Sequence, residues 1–250
     1  MAEKILYFDC FSGASGDMIV GALIDLGLDM EELRGQLAKL GLGGWLIDAR
    51  KTVKAGFAAT KFEVITGDIG ENGLHHGRHL SEIVKMIESS DLPAGVKKNS
   101  ILIFRRLAEA EARIHGTSPE KVHFHEVGAV DAIVDIVGAA VGLEILGIDR
   151  VVVSPLPLSR GFVQCHHGLI PVPAPGTMEL LTGMDVYGSD QQGETVTPTG
   201  AAILSTIAGN SGPMPEMQVV KVGYGAGTRE FKVPNLLRAV LGFVTTEKAI

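Results

Sequence analysis

The stretch ILYFDCFSGASGDMIVGALIDLG, residues 5–27, decides the fold. Its apolar start, Ile5 to Phe8, reads as the core of a buried strand over residues 4–10. Its end reads as a helix over residues 16–27. There Met18, Ile19, Ala22, Leu23 and Leu26 fall on one stripe, and Gly27 stops the helix. Between the two lies a turn of small residues that carries Asp9, Cys10 and Asp17. A strand that feeds a helix through a glycine turn is the opening unit of an α/β fold. The turn has two readings. It is a tight turn with Ser15 as N-cap, or it is an anion site in which Gly13 and Gly16 bring backbone N–H groups and a helix N-terminus close to a phosphate.

Outward from this unit, Asp29 caps a second predicted helix, residues 30–40, and Gly41 ends it. Residues 45–65 hold two extended runs joined around Lys54-Ala55-Gly56, the pattern of a hairpin. Residues 67–78, GDIGENGLHHGR, are polar and glycine-rich and read as a mobile loop. Helical spacing covers residues 80–89 and, after Pro93, residues 94–114. Residues 123–126 are short and extended. The alanine- and glycine-rich run 129–146 reads as a central helix. Single strands are predicted at 150–155 and 161–172, short helices at 176–181 and 200–207, and late strands at 217–224 and 236–244. Helices alternate with strands, yet some neighbouring strands look like hairpins. The expectation is one large α/β domain over residues 1–250 with a mixed sheet, with α+β left open.

The chain has 250 residues, of which 46% are hydrophobic and 20% charged, enough for a substantial core. Its formal net charge of -7 speaks against a nucleic-acid surface, which needs a basic stripe. Two cysteines make no disulfide framework and fit a reducing compartment. No apolar run reaches the length of a membrane span, and the reading is a soluble cytoplasmic protein that touches neither membrane nor nucleic acid.

Chemistry-bearing residues cluster in five places. In HFHEVGAVDAIVD, residues 123–135, His123 and His125 share a strand face, and Asp131 and Asp135 share a helix face, with Glu126 between them. Acids inside an apolar helix are costly unless matched. Imidazoles with carboxylates suit a divalent transition metal such as nickel. In QCHHG, residues 164–168, Cys165 and His167 share a face if the run is one strand. His75, His76 and His79 offer a weak, exchangeable metal site in the polar loop. VTPTGAAIL (196–204) puts Thr199 and Gly200 at a helix start. VGYGAGTREF (222–231) sets three glycines before Arg229, which can clamp a phosphate. The P-loop and nucleophile-elbow patterns are missing, so ordinary NTPase and α/β-hydrolase chemistry are not indicated.

Taken together, YFDCFSGASGDM, HFHEVGAVDAIVDIVG, SPLPLSRGFVQCHHGLIPVPAPGTMELL, TPTGAAIL and GYGAGTREF followed by PNLLR stand in one order along nearly the whole chain. In this the sequence resembles the N-terminal region of the LarC family of nickel insertion proteins. The resemblance implies insertion of Ni2+ into pyridinium-3,5-bisthiocarboxylic acid mononucleotide, giving the nickel-pincer cofactor of lactate racemase-type enzymes. It implies a lyase, a nickel chelatase that forms a nickel–carbon bond, with CTP and Mn2+ or Mg2+ used by a C-terminal region that these residues are expected to lack. Its partners would be the thiocarboxylated mononucleotide, the racemase-type apoenzyme, that C-terminal region and further copies of the chain.

Forming the metal–carbon bond displaces a ring proton, and Asp17, Glu126 and Asp131 are the candidates for acid–base work, with the histidines 123 and 125 also open. The candidate nickel ligands are His123, His125, Asp135, Cys165, His167, His75, His76 and His79. The candidate phosphate contacts are Ser12, Gly13, Ser15, Gly16, Thr199, Gly200 and Arg229, and Cys10 is a candidate thiol. Two other functions stay open: a nickel chaperone or storage module without chemistry, and a metal-dependent nucleotide phosphohydrolase.

Overall fold

The protein is described here by a computed structural model covering residues 2–66, 78–124, 128–165 and 168–244. Strand β1 (Glu3–Asp9) is the apolar run of the opening stretch. Its side chains alternate between faces: Leu6 and Phe8 enter the main core, while Ile5 and Tyr7 join Val152 and Val240 in a smaller cluster on the other side. A strand buried on both faces must be internal, and β1 lies within a seven-stranded sheet.

In chain order the elements are α1 (Gly16–Asp25), α2 (Met30–Ala38), β2 (Trp45–Lys54), β3 (Phe57–Thr66), β4 (Arg78–His79), α3 (Leu80–Ser89) and α4 (Ala94–His115). Then come β5 (His123–Phe124), α5 (Val130–Ile145), β6 (Arg150–Val153), β7 (Leu156–Arg160), β8 (Phe162–Cys165), β9 (Gly168–Pro171) and α6 (Pro175–Leu180). The last are β10 (Val186–Gln192), α7 (Pro198–Ile207), β11 (Ala208–Ser211), β12 (Gln218–Ala226) and β13 (Leu236–Val244). The sheet order is β11-β6-β1-β13-β12-β3-β2. Neighbours β11/β6, β6/β1 and β12/β3 run parallel, and β1/β13, β13/β12 and β3/β2 antiparallel. This is the mixed α/β sheet expected. Two hairpins, β2–β3 and β12–β13, break the parallel pattern.

Local chemistry accounts for the element ends. Asp29 accepts N–H bonds from Glu31 and Glu32, both at 2.9 Å, and so caps α2. Ala55 and Gly56 both have positive φ, which turns β2 back on β3. One expectation fails here. Residues 161–172 are not a single strand, because β8 and β9 pair antiparallel with Cys165 opposite Gly168, a glycine at φ 88°. Cys165 therefore ends a hairpin arm rather than sitting mid-strand. The predicted loop at 67–78 lies outside the described residues except for its last, Arg78.

Helix α1 is laid directly on the sheet and covered by α5. A Cβ on Gly225 of β12 would come within 1.8 Å of the Met18 carbonyl oxygen, so only glycine lets the helix backbone touch the strand. Helix α5 is apolar nearly all round and buried, as its composition predicts, with α1, α2, α4 and α7 against it. Asp131 and Asp135 are the two acids in its N-terminal half. Among the described residues no helix is long and apolar enough to cross a membrane.

Candidate functional site

The site begins where the opening turn is fastened to a second turn. The Gly13 N–H donates to the Cys10 carbonyl at 2.8 Å and the Ala14 N–H to the Thr195 carbonyl at 2.9 Å. The Thr197 N–H returns a bond of 3.0 Å to the Ala14 carbonyl. The Thr197 hydroxyl accepts from the Gly200 N–H at 3.1 Å and caps α7. A Cβ on Gly200 would meet the Ala14 oxygen at 2.5 Å. The N-termini of α1 and α7 are thereby held side by side, and their unpaired N–H groups and positive dipole ends share one region.

The glycines expected at the phosphate have packing roles in this geometry. Gly13 spends its N–H inside the protein, and its Cβ position is filled by the Thr195 oxygen at 2.0 Å, so it packs a turn. Gly200 serves close packing in the same way. Ser12 is 1% exposed. Gly16 has no Cβ because Asp135 Oδ2 would lie 2.4 Å from it. Its small size lets α1 and α5 meet at that carboxylate. Of the glycines 223, 225 and 227, the first two make room for α1 and the third for the Asn235 side chain.

A cleft of about 620 Å³ opens over these ends. Ser15, Gly16 and Asp17 come from α1 and its cap, Asp131 and Asp135 from α5, Thr197 and Thr199 from the start of α7, Lys61 and Glu63 from β3, and Thr228 from the turn after β12. A smaller chamber of about 150 Å³ shares Ser15, Asp17, Thr197 and Thr228 with it and adds Glu194, Arg229 and Asn235. Lys61 is 6% exposed. Its ammonium is ion-paired with Asp17 and donates to Thr228 Oγ1 at 2.7 Å. Asp17 also accepts from the Ser15 hydroxyl. Glu63 is held by Arg50, one bond of the pair being 3.0 Å, and this keeps its carboxyl below the usual range. Asp135 Oδ1 is buried with no hydrogen-bond partner among the described residues. Burial pushes the Asp135 carboxyl well above the usual range, the Asp17 and Asp131 charges push the same way, and Lys61 opposes them. Arg229 Nη2 lies 3.7 Å from Glu194 Oε2.

Among the described residues the candidate metal ligands are not gathered. Asp135 lines the cleft, whereas His123 stands opposite His79 on the β4–β5 ladder and Cys165 ends β8. His79 and His123 meet edge to face at 4.9 Å between ring centres, a pairing the sequence separated by a loop. His79 also caps α3: its N–H donates to Glu82 Oε2 at 2.7 Å, and Nδ1 lies 3.2 Å from the Val122 carbonyl. Among the described residues no group of three His, Cys, Asp or Glu side chains is close enough to hold a metal ion. His75, His76, His125, Glu126 and His167 lie outside the described residues. Cys10 is fully buried, its thiol pushed far up by burial and by Asp9, so it is no thiolate at the cleft. Asp9, on the same turn, is paired with Arg238.

Sequence reading missed Lys61, Thr197 and Thr228. The signal for Lys61 was slight: a lysine between Thr60 and Phe62 in the middle of an extended run, of which the structure buries only Ala59 to Phe62.

Carboxylates beside a buried ammonium and a guanidinium, at the paired N-termini of two helices, define an α/β protein equipped for a ligand with both cationic and anionic parts. The chain belongs to the nickel insertion protein family, whose model matches residues 6–250. It is 50% identical over 244 residues to the pyridinium-3,5-bisthiocarboxylic acid mononucleotide nickel insertion protein of Desulfitobacterium hafniense, covering 98% of this chain and 60% of that one. The protein of the same description from Geobacillus kaustophilus is 49% identical over 245 residues, covering 96% of this chain and 60% of its own. The chain thus spans about 60% of the length of these relatives. No solved structure matches it.

Proposed function

We propose that this chain carries the nickel-inserting part of a nickel chelatase acting on pyridinium-3,5-bisthiocarboxylic acid mononucleotide. The observation that supports this most is a cleft holding Lys61, Asp17, Asp131 and Asp135 that shares Ser15, Asp17, Thr197 and Thr228 with a chamber lined by Arg229. In this reading the mononucleotide phosphate enters the smaller chamber, where Arg229, the Thr197 and Thr228 hydroxyls and the α7 N-terminus offer donors. The pyridinium ring and its sulfurs lie in the larger cleft. Ni2+, the second substrate, meets the sulfurs beside the carboxylates. As the nickel–carbon bond forms, the ring C–H bond breaks, its electron pair passes to the metal, and a carboxylate takes the proton. Asp17, Asp131 and Asp135 stand in the cleft for that task. CTP and Mn2+ or Mg2+ belong, on the family resemblance, to the further length of the relatives, and the product would pass to a lactate racemase-type apoenzyme. The reaction class is then a lyase.

The test is direct. Purified chain, Ni2+ and the mononucleotide, alone or with the remaining portion of a relative, CTP and Mn2+ supplied separately, should give a new charge-transfer absorption band and a product that has gained nickel and lost a proton by mass. Nickel uptake with neither band nor mass change in both mixtures would refute insertion. It would leave the second reading, a nickel-holding module, which the His79–His123 pair favours.

A further inference from the structure

Within that proposed site Lys61 is placed unusually. It sits on β3 at the cleft wall, it is 6% exposed, and its ammonium is committed to Asp17 and to Thr228 Oγ1 at 2.7 Å. A buried lysine is costly unless paired, and removing one member of such a pair leaves the other charge uncompensated. Asp17 is thus the counter-ion that makes Lys61 tolerable, and the reverse holds. Two more carboxylates line the same cleft, and Asp135 keeps one oxygen buried and unpartnered among the described residues. Even so, the described residues hold no assembled metal site. With the Lys61 ammonium bonded to it, the Asp17 carboxylate faces a cation already, and a divalent ion arriving there meets positive charge.

We propose that Lys61 is a latch that makes nickel binding depend on the mononucleotide. An anionic group of that ligand accepts a hydrogen bond from Lys61 and replaces Asp17 as its counter-ion. Asp17 is then released, and with Asp131 and Asp135 it presents three carboxylates to the metal. Lys61 keeps a partner throughout, and Asp17 is left facing Asp131 and Asp135 until a cation arrives, which favours the metal once the nucleotide is bound. Thr228 and Ser15 hold the two members of the pair at the boundary between chamber and cleft, where the anionic and cationic ends of the ligand would meet. The consequence is order: nucleotide first, nickel second. By linkage, each ligand tightens the other. The benefit is chemical: without the nucleotide the described residues hold no tight nickel cage to unload.

The latch predicts opposite effects on the two ligands, which an ordinary structural lysine would not produce. Lys61→Met should weaken binding of the mononucleotide in the absence of metal about tenfold or more, and tighten binding of Ni2+ in the absence of nucleotide by a similar factor. Asp17→Asn should do the reverse, strengthening the nucleotide and weakening nickel. Both ligands are titrated separately by calorimetry on variants whose melting curves show that they fold. If Lys61→Met does not fold, Asp17→Asn carries the test alone. Nickel affinity unchanged in both variants, or weakened in Lys61→Met, overturns the latch. That failure is distinct from failure of the proposed function, because wild-type chain would still form the charge-transfer product in the insertion assay.

Discussion

Asp25, in the last turn of α1, accepts hydrogen bonds from Lys51, from Thr60 Oγ1 at 2.7 Å and from the Tyr224 N–H at 2.9 Å. Burial alone would raise its carboxyl, but these bonds outweigh it and hold the group below its ordinary value. The sign follows. Between the folded and unfolded pKa values the unfolded chain binds more protons, so stability rises with pH there. The contribution of Asp25 is present above the ordinary carboxylate range and is lost as pH falls through the lowered folded value. Asp25→Asn should therefore cost roughly 1–2 kcal/mol near neutral pH, mostly through weakened charge-assisted hydrogen bonds, and much less near pH 2. Urea unfolding at the two pH values measures it, and an equal gap at both would sink the assignment. The glycine turn singles out Asp17 in the sequence, but nothing there gives Asp25 a role. Both are acids on α1, eight positions apart, and their partners, Lys51 and Lys61 from neighbouring strands, separate a clamp from a site residue.

The elements themselves were largely legible. The stripe of α1, the Asp29 cap, the Ala55-Gly56 hairpin and the apolar length of α5 follow from periodicity and turn chemistry, which act over a few residues. The reading failed where an apolar run turns back on itself at 161–172, because a run of strand-forming residues does not show that it is broken by a hairpin. It also overlooked a packing role of the glycines. Most of those read as phosphate cradles are points where one element's backbone touches another's. Gly225→Ala tests this most sharply, since a Cβ 1.8 Å from the Met18 oxygen cannot be accommodated unless α1 moves off β12. The substitution should destabilise the protein by about 3 kcal/mol or more, seen as a large drop in melting temperature or as insoluble protein. A loss under about 1 kcal/mol would mean that the helix yields easily.

At the scale of the whole molecule, the sheet carries α1 and β3 to one end, and α5, α7 and the turn at Thr228 close over them, so that five separate segments of sequence share one cleft. A ligand that bridges them should stabilise the entire fold. At a free concentration of about 100 times Kd, the mononucleotide should add roughly 2.7 kcal/mol to stability, read as a rise in melting temperature. Arg229→Ala, on the chamber wall, should lose most of that rise while leaving the unliganded melting temperature nearly unchanged, because Arg229 is exposed and its contact with Glu194 is long. An equal rise in wild type and variant would place the phosphate elsewhere.

The sequence by itself determined the elements and the opening strand–turn–helix unit. It also determined the presence of acids on α5 and the ordered motifs that mark the family. These depend on local periodicity, on turn residues and on identity, all of which a linear reading can reach. Tertiary structure alone decided which charges meet. The pairing of Lys61 with Asp17, the meeting of Asp135 with Gly16, and the burial of Cys10 all join or sequester groups through packing between distant segments. Charge interactions depend on distance in space and on the water excluded around them, and neither is written in the spacing of residues along a chain.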